Sequence, residues 1–215
     1  MTPRTLFYFP IIHSQSEMGE LARSVEQAGR RRLGQGEWRR KVDLTERFWT
    51  RIAEIVLEEL GLPFRRTRVY QDGLPICDRE RQIVADLAGM GSPNHRLLLA
   101  LADRGATIMG TESAELLVEE YELAKLTLGA GDSGGSAADD PGREEGSAKL
   151  AGDRILASRD AFIAGRIGET LREGETGILF LGLLHEAASL LPADIRVLYP
   201  LGDIAAFVGR SGGSS

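Results

Sequence analysis

The chain has 215 residues, 42% hydrophobic and 27% charged, which is enough apolar side chain for one packed core without requiring a second domain. Its 32 acidic against 26 basic residues leave a formal charge of −6, which argues against a general role in gripping phosphate backbones. A single cysteine, Cys77, excludes an internal disulfide and any zinc-finger spacing, and no run approaches the roughly twenty apolar residues of a membrane span. The expectation is a cytoplasmic protein with no nucleic-acid or membrane partner.

In chain order, Leu6-Phe7-Tyr8-Phe9-Pro10-Ile11-Ile12-His13 reads as a strand buried on both faces. Helical spacing follows over about 15–30 and 37–60, the second carrying Phe48, Trp49, Ile52, Ile55 and Val56 and stopped by Gly61-Leu62-Pro63. Arg30-Arg31-Arg32 and Arg39-Arg40-Lys41 read as a solvated helix face. Arg66 to Gln71 alternates as a second strand ending at Asp72-Gly73, and short helices are predicted over about 78–89 and 93–104, the latter opened by Ser92-Pro93 as cap and first-turn residue. Ala106 to Gly110 is a third strand, followed directly by Glu112 and a helix over about 113–127.

Residues 129–147 are almost free of large apolar side chains and read as a flexible insertion. A helix over about 148–173 then leads to a second apolar run, Ile178-Leu179-Phe180-Leu181-Gly182-Leu183-Leu184-His185, read as a strand over 177–184. Ile195 to Tyr199 is a last strand before a short helix, and 210–215 is a disordered Gly/Ser tail. Alternating strands and helices predict a single α/β domain over 1–209, with a mainly parallel sheet of four to five strands and helices on both faces.

On this reading His13, Asp72, Glu112 and His185 all fall at or just past the C-terminal ends of strands, the rim where open α/β sheets gather ligands. Two imidazoles and two carboxylates, if they converge, suit a divalent metal such as manganese, cobalt or zinc, or a metal-free acid/base pair. Each also has a structural alternative: Asp72 as a turn residue, Glu112 as a first-turn helix residue behind Thr111, and His95 as a surface or structural side chain. In the helix over 148–173, Arg159, Arg166 and Thr170 break an apolar arc of Ile155, Leu156, Phe162, Ile163, Ile167 and Leu171. A guanidinium aimed at a core must be paired, with a structural carboxylate or with a ligand, and Asp160 faces roughly 100° away from Arg159. Phosphate-binding glycine loops, the GxSxG elbow and HExxH are absent.

Ser158-Arg159-Asp160-Ala161-Phe162-Ile163-Ala164 followed by the GxxH motif Gly182 to His185 resembles the C-terminal part of the TraB/Tiki superfamily, which includes erythromycin-esterase-like and ChaN-like proteins. The family pattern has two such motifs, an intervening acid and an arginine on the helix before the second motif. Here Pro10 replaces the first glycine in Pro10-Ile11-Ile12-His13. The resemblance implies a metal-dependent hydrolase acting on a small molecule or peptide. His13 and His185 would be metal ligands, Glu112 or Asp72 would complete the shell or activate water, and Arg159 would steady a developing anion. The alternative is a non-catalytic ligand-binding or regulatory protein using the same rim. A homodimer packed through 37–60, with Trp38, Phe48 and Trp49, is compatible with either.

Overall fold

Five strands form one wholly parallel sheet in the computed structural model, in the spatial order β3-β2-β4-β1-β5. The structure describes residues 4–12, 22–130 and 141–202. The strands are β1 (Arg4–Ile11), β2 (Thr67–Gln71), β3 (Thr107–Met109), β4 (Thr176–Gly182) and β5 (Ile195–Leu198). Helices α1 (Ala22–Leu33) and α2 (Gln35–Glu54) join β1 to β2, α3 (Glu80–Gly89) and α4 (Pro93–Asp103) join β2 to β3, and α5 (Ala114–Ala130) and α6 (Pro141–Thr170) join β3 to β4. This is the α/β architecture the alternation predicts. None of the described helices is long and apolar enough to cross a membrane.

The strand order explains the two cores. From β1 to β3 the chain moves across the sheet one way, and from β3 to β5 it moves back, so right-handed crossovers send the two sets of helices to opposite faces. One face joins Phe9, Val69, Ile178 and Phe180 to Phe48, Trp49, Ile52, Val84, Leu98 and Leu101. The other joins Leu6, Tyr8, Tyr70, Leu179 and Leu181 to Ile163, Ile167 and Leu171 of α6. Period-two alternation within apolar runs is what feeds both faces. In β1 and β4, Phe9 lies opposite Phe180 with ring centroids 5.4 Å apart, and Trp49 packs on Phe180 from α2.

Trp38, Phe48 and Trp49 are buried within the chain itself. The arginines of 30–32 and 39–40 are exposed, as a solvated face requires. Helix reaches further than composition suggests into the segment read as a flexible insertion: α5 runs on to Ala130, and α6 begins at Pro141. Proline suits a first helical position because its fixed φ fits and its missing N–H has no intrahelical partner to lose. The rest of that segment, 131–140, lies outside the described residues, as do the first histidine, His13, the expected C-terminal helix and the 210–215 tail.

Ion pairs tie the N-terminal edge of the sheet. Arg4 donates to both carboxylate oxygens of Asp194 at 2.8 Å and to the carbonyls of Gly168 and Leu171, closing the end of α6. Arg68 of β2 pairs with Glu175, which precedes β4, and this contact holds the Glu175 carboxyl below its ordinary value. A depressed carboxylate contributes stability above its unfolded pKa and loses it as pH falls through the folded one. Glu175→Gln is therefore expected to lower unfolding stability by about 1–2 kcal/mol at pH 7. Urea titrations should show that deficit shrinking below about pH 4. An equal deficit at pH 3 and pH 7 would contradict the pairing.

Candidate active site at the strand rim

The C-terminal ends of β2 and β4 lie side by side, and residues just beyond them are held by the sheet's own hydrogen bonding. The Asp72 N–H donates to the Phe180 carbonyl at 2.9 Å, extending the ladder one residue before Gly73, at φ +73°, turns the chain away. Asp72 Oδ2 then accepts the Gly182 N–H at 2.8 Å, so its carboxylate bridges the two strand ends. The local turn role open to Asp72 is thus real, but its carboxylate does more than close a turn.

Glu112 depends on Gly110. A Cβ at Gly110 would lie 2.6 Å from Ile76 Cα and 2.8 Å from the Pro75 carbonyl, so only glycine lets the two segments touch. That approach allows the N–H groups of Thr111 and Glu112 to donate to the Leu74 carbonyl, and Ile76 N–H to the Glu112 carbonyl. Glu112 precedes α5 rather than occupying its first turn. Ser113, not Thr111, accepts from a first-turn N–H, that of Leu116 at 3.4 Å, while the Thr111 hydroxyl accepts from Gln71 N–H.

Arg159 gathers these groups. Its Nη2 donates to Asp72 Oδ1 at 2.7 Å and Glu112 Oε1 at 2.6 Å, its Nε to Glu112 Oε2 at 3.2 Å, and its Nη1 to both oxygens of Glu120 at 2.7 Å. Three carboxylates thus engage all three guanidinium nitrogens. These contacts supply the structural carboxylates that a guanidinium in an apolar arc requires. Burial pushes the Glu112 carboxyl up, against the pull of the Arg159 contact. Burial also pulls the Arg159 guanidinium down, but its contacts with Glu112, Asp72 and Glu120 outweigh that, so it stays charged. Arg166, lower on the same face, donates to the Gly110 carbonyl at 3.1 Å and braces the loop that carries Glu112.

His185 stands one turn beyond β4, which ends at Gly182 rather than running to 184. The His185 N–H donates to the Gly182 carbonyl at 3.1 Å, so the last residues of the apolar run form a turn, with Leu184 81% exposed. That turn brings the imidazole back over the rim. Its Nδ1–H donates to Asp160 Oδ1 at 2.6 Å, and the Glu186 N–H donates to Asp160 Oδ2 at 2.8 Å. A carboxylate only accepts, so this contact puts a proton on Nδ1, and in the neutral imidazole the lone pair is then on Nε2. The His185 side chain is 5% exposed, and Nε2 has no hydrogen-bond partner among the described residues, Asp72 Oδ2 being 3.7 Å away.

Asp160 and His95 are the site residues that sequence reasoning misses. Asp160 is a poor partner for Arg159 within their helix, and its face, about 100° away, is what lets it serve His185 instead. His95 is buried, with Nδ1 2.8 Å from the Ser92 hydroxyl, and lines the same cavity as His185, Asp72, Glu120 and Arg159. The sequence does carry a signal for it: a helix leading into a parallel strand runs antiparallel to it, so the N-terminus of α4 must lie at the C-terminal rim. The cavity is about 390 Å³. Its apolar wall is Leu87, Leu117, Leu156, Leu183 and Leu184.

Of the donors that the resemblance implies for a divalent metal, His13 lies outside the described residues. Among the described residues no group of three or more His, Cys, Asp or Glu side chains is arranged to hold a metal ion. His185 offers one nitrogen, while Asp72 and Glu112 are engaged by Arg159 and backbone N–H groups. Compared with protein-family models, with curated proteins and with solved structures, the chain gives no match.

Proposed function

We propose that the chain is a hydrolase, resembling the TraB/Tiki superfamily, that acts on a small molecule or peptide in the rim cavity by general acid/base chemistry at His185. The observation that carries this reading is the Asp160–His185 pair, with Nδ1 held by a carboxylate and Nε2 unbonded at a cavity wall. His185 Nε2 takes a proton from water as its oxygen adds to the scissile carbonyl or phosphoryl centre. The same nitrogen returns that proton to the leaving group as the bond breaks. Asp160 fixes the tautomer and stabilises the imidazolium formed in between. Asp72, Glu112 and Arg159 form the rigid floor that holds the strand ends. No step is routed through a metal. The cytoplasmic placement is part of this reading, resting on a single thiol and the absence of any disulfide.

A second reading, non-catalytic ligand binding at the same rim, is favoured by one observation: every guanidinium nitrogen of Arg159 already contacts a carboxylate. A screen of ester, amide and phosphoester substrates with the native protein and His185→Gln decides between them. Turnover by the native protein that the variant loses supports the hydrolase. Turnover that survives the substitution overturns it, and ligand binding without turnover of any substrate class favours the second reading.

A further inference from the structure

The charge around the cavity is unbalanced. Asp72, Glu112 and Glu120 are three carboxylates gathered about one guanidinium, Arg159, and a fourth, Asp160, holds the His185 ring. Burial favours the neutral form of Glu112, and with its proton on, Asp72 and Glu120 still face the one guanidinium. An anionic ligand would therefore meet repulsion from Asp72 and Glu120, which line the cavity beside Arg159. Glu120 is different from its partners: its side chain is 46% exposed and it lines the cavity, so its oxygens can accept from a ligand as well as from Arg159. The leucine wall lines the same cavity. A second, independent feature marks the cavity as a ligand site: His185, with its side chain 5% exposed, presents an Nε2 that no described residue hydrogen-bonds.

We propose that the cavity takes a ligand that joins a protonated amine to an apolar body, the ammonium group set against Glu120 and Asp72 and the apolar part against the leucines. This names the substrate class for the hydrolase reading and rests on it for the identity of the site. Acidic side chains around a partly buried cavity attract cations by unscreened charge, and each charge-assisted hydrogen bond adds to that preference.

Three probes of nearly equal shape test it: benzylamine, benzyl alcohol and phenylacetate, titrated into the full chain and followed by the imidazole NMR signals of His95 and His185. Benzylamine is expected to bind about tenfold or more tightly than benzyl alcohol, and phenylacetate not measurably. Glu120→Gln should remove most of the difference between the first two while leaving benzyl alcohol affinity unchanged. Equal affinity for all three, tighter binding of phenylacetate, binding that leaves both histidines unmoved, or no binding by any probe overturns the proposal. None of these readouts depends on turnover. An anion preference that moves His185 would reject the ligand class and leave the acid/base reading standing, whereas a cation preference with turnover unaffected by His185→Gln would do the reverse.

Discussion

Arg159→Met is expected to lower the free energy of unfolding by about 3–5 kcal/mol, the range for removing one partner from a buried ionic cluster. The methionine preserves most of the aliphatic stem, so lost packing is a minor part of the effect. What remains is Asp72 and Glu112, with side chains 4% and 0% exposed, facing each other without their common cation. Glu112 already has its carboxyl pushed up by burial, and removing Arg159 takes away the contact that opposes this. A carboxyl with a raised folded pKa contributes stability that is present at low pH and lost as pH rises through that pKa. The deficit of the variant is therefore expected to be smaller at pH 5 than at pH 8, and urea midpoints at the two values measure it. Adding Glu112→Gln should recover part of the loss, because the amide brings no charge into the site. A variant within about 1 kcal/mol of the native protein at both pH values would mean that the cluster is not what holds the strand ends together.

Much of this arrangement is legible in the amino-acid sequence itself. The strands announce themselves through apolar runs, and the parallel sheet through their alternation with helices. The placement of Asp72 and Glu112 follows from where the strands stop, and an arginine in an apolar arc has to have a partner. Which partner is not legible. The carboxylates around Arg159 come from three other segments, and their convergence depends on β4 inserting between β1 and β2, a strand order that local patterns do not encode. Asp160 comes beside His185, 25 residues further on, because α6 runs antiparallel to the strand it leads into, although neighbours in sequence give no hint of it. The apolar run to Leu184 looks like strand throughout because hydropathy cannot distinguish a buried leucine from one on a cavity wall. His95 is inconspicuous for a related reason: its own segment reads as an ordinary capped helix, and only its end of the sheet makes it a site residue.

If His185 and Asp160 act as one acid/base unit, they should fail as one. His185→Gln is expected to lower kcat/KM by about 10²–10⁴, the usual contribution of a positioned proton-transfer group. Asp160→Asn should fall within the same range, because the amide nitrogen can donate to Nδ1 and stabilise the tautomer whose Nε2 carries the proton. That tautomer cannot accept a proton from water. The decisive measurement is the double variant: residues acting in a single step are strongly non-additive, so its loss should scarcely exceed that of His185→Gln alone. Two losses that multiply would separate the residues, leaving Asp160 to hold the Glu186 N–H and the turn after β4 while His185 worked without it. Thermal melts of all three variants keep the comparison sound. Asp160→Asn keeps one acceptor oxygen where the carboxylate has two to serve the His185 ring and the Glu186 N–H, and a variant that unfolds at the assay temperature would lose activity for that reason alone. Assays below the lowest melting point then read proton transfer, and the ratio of the single to the double loss tells whether the imidazole and the carboxylate share it.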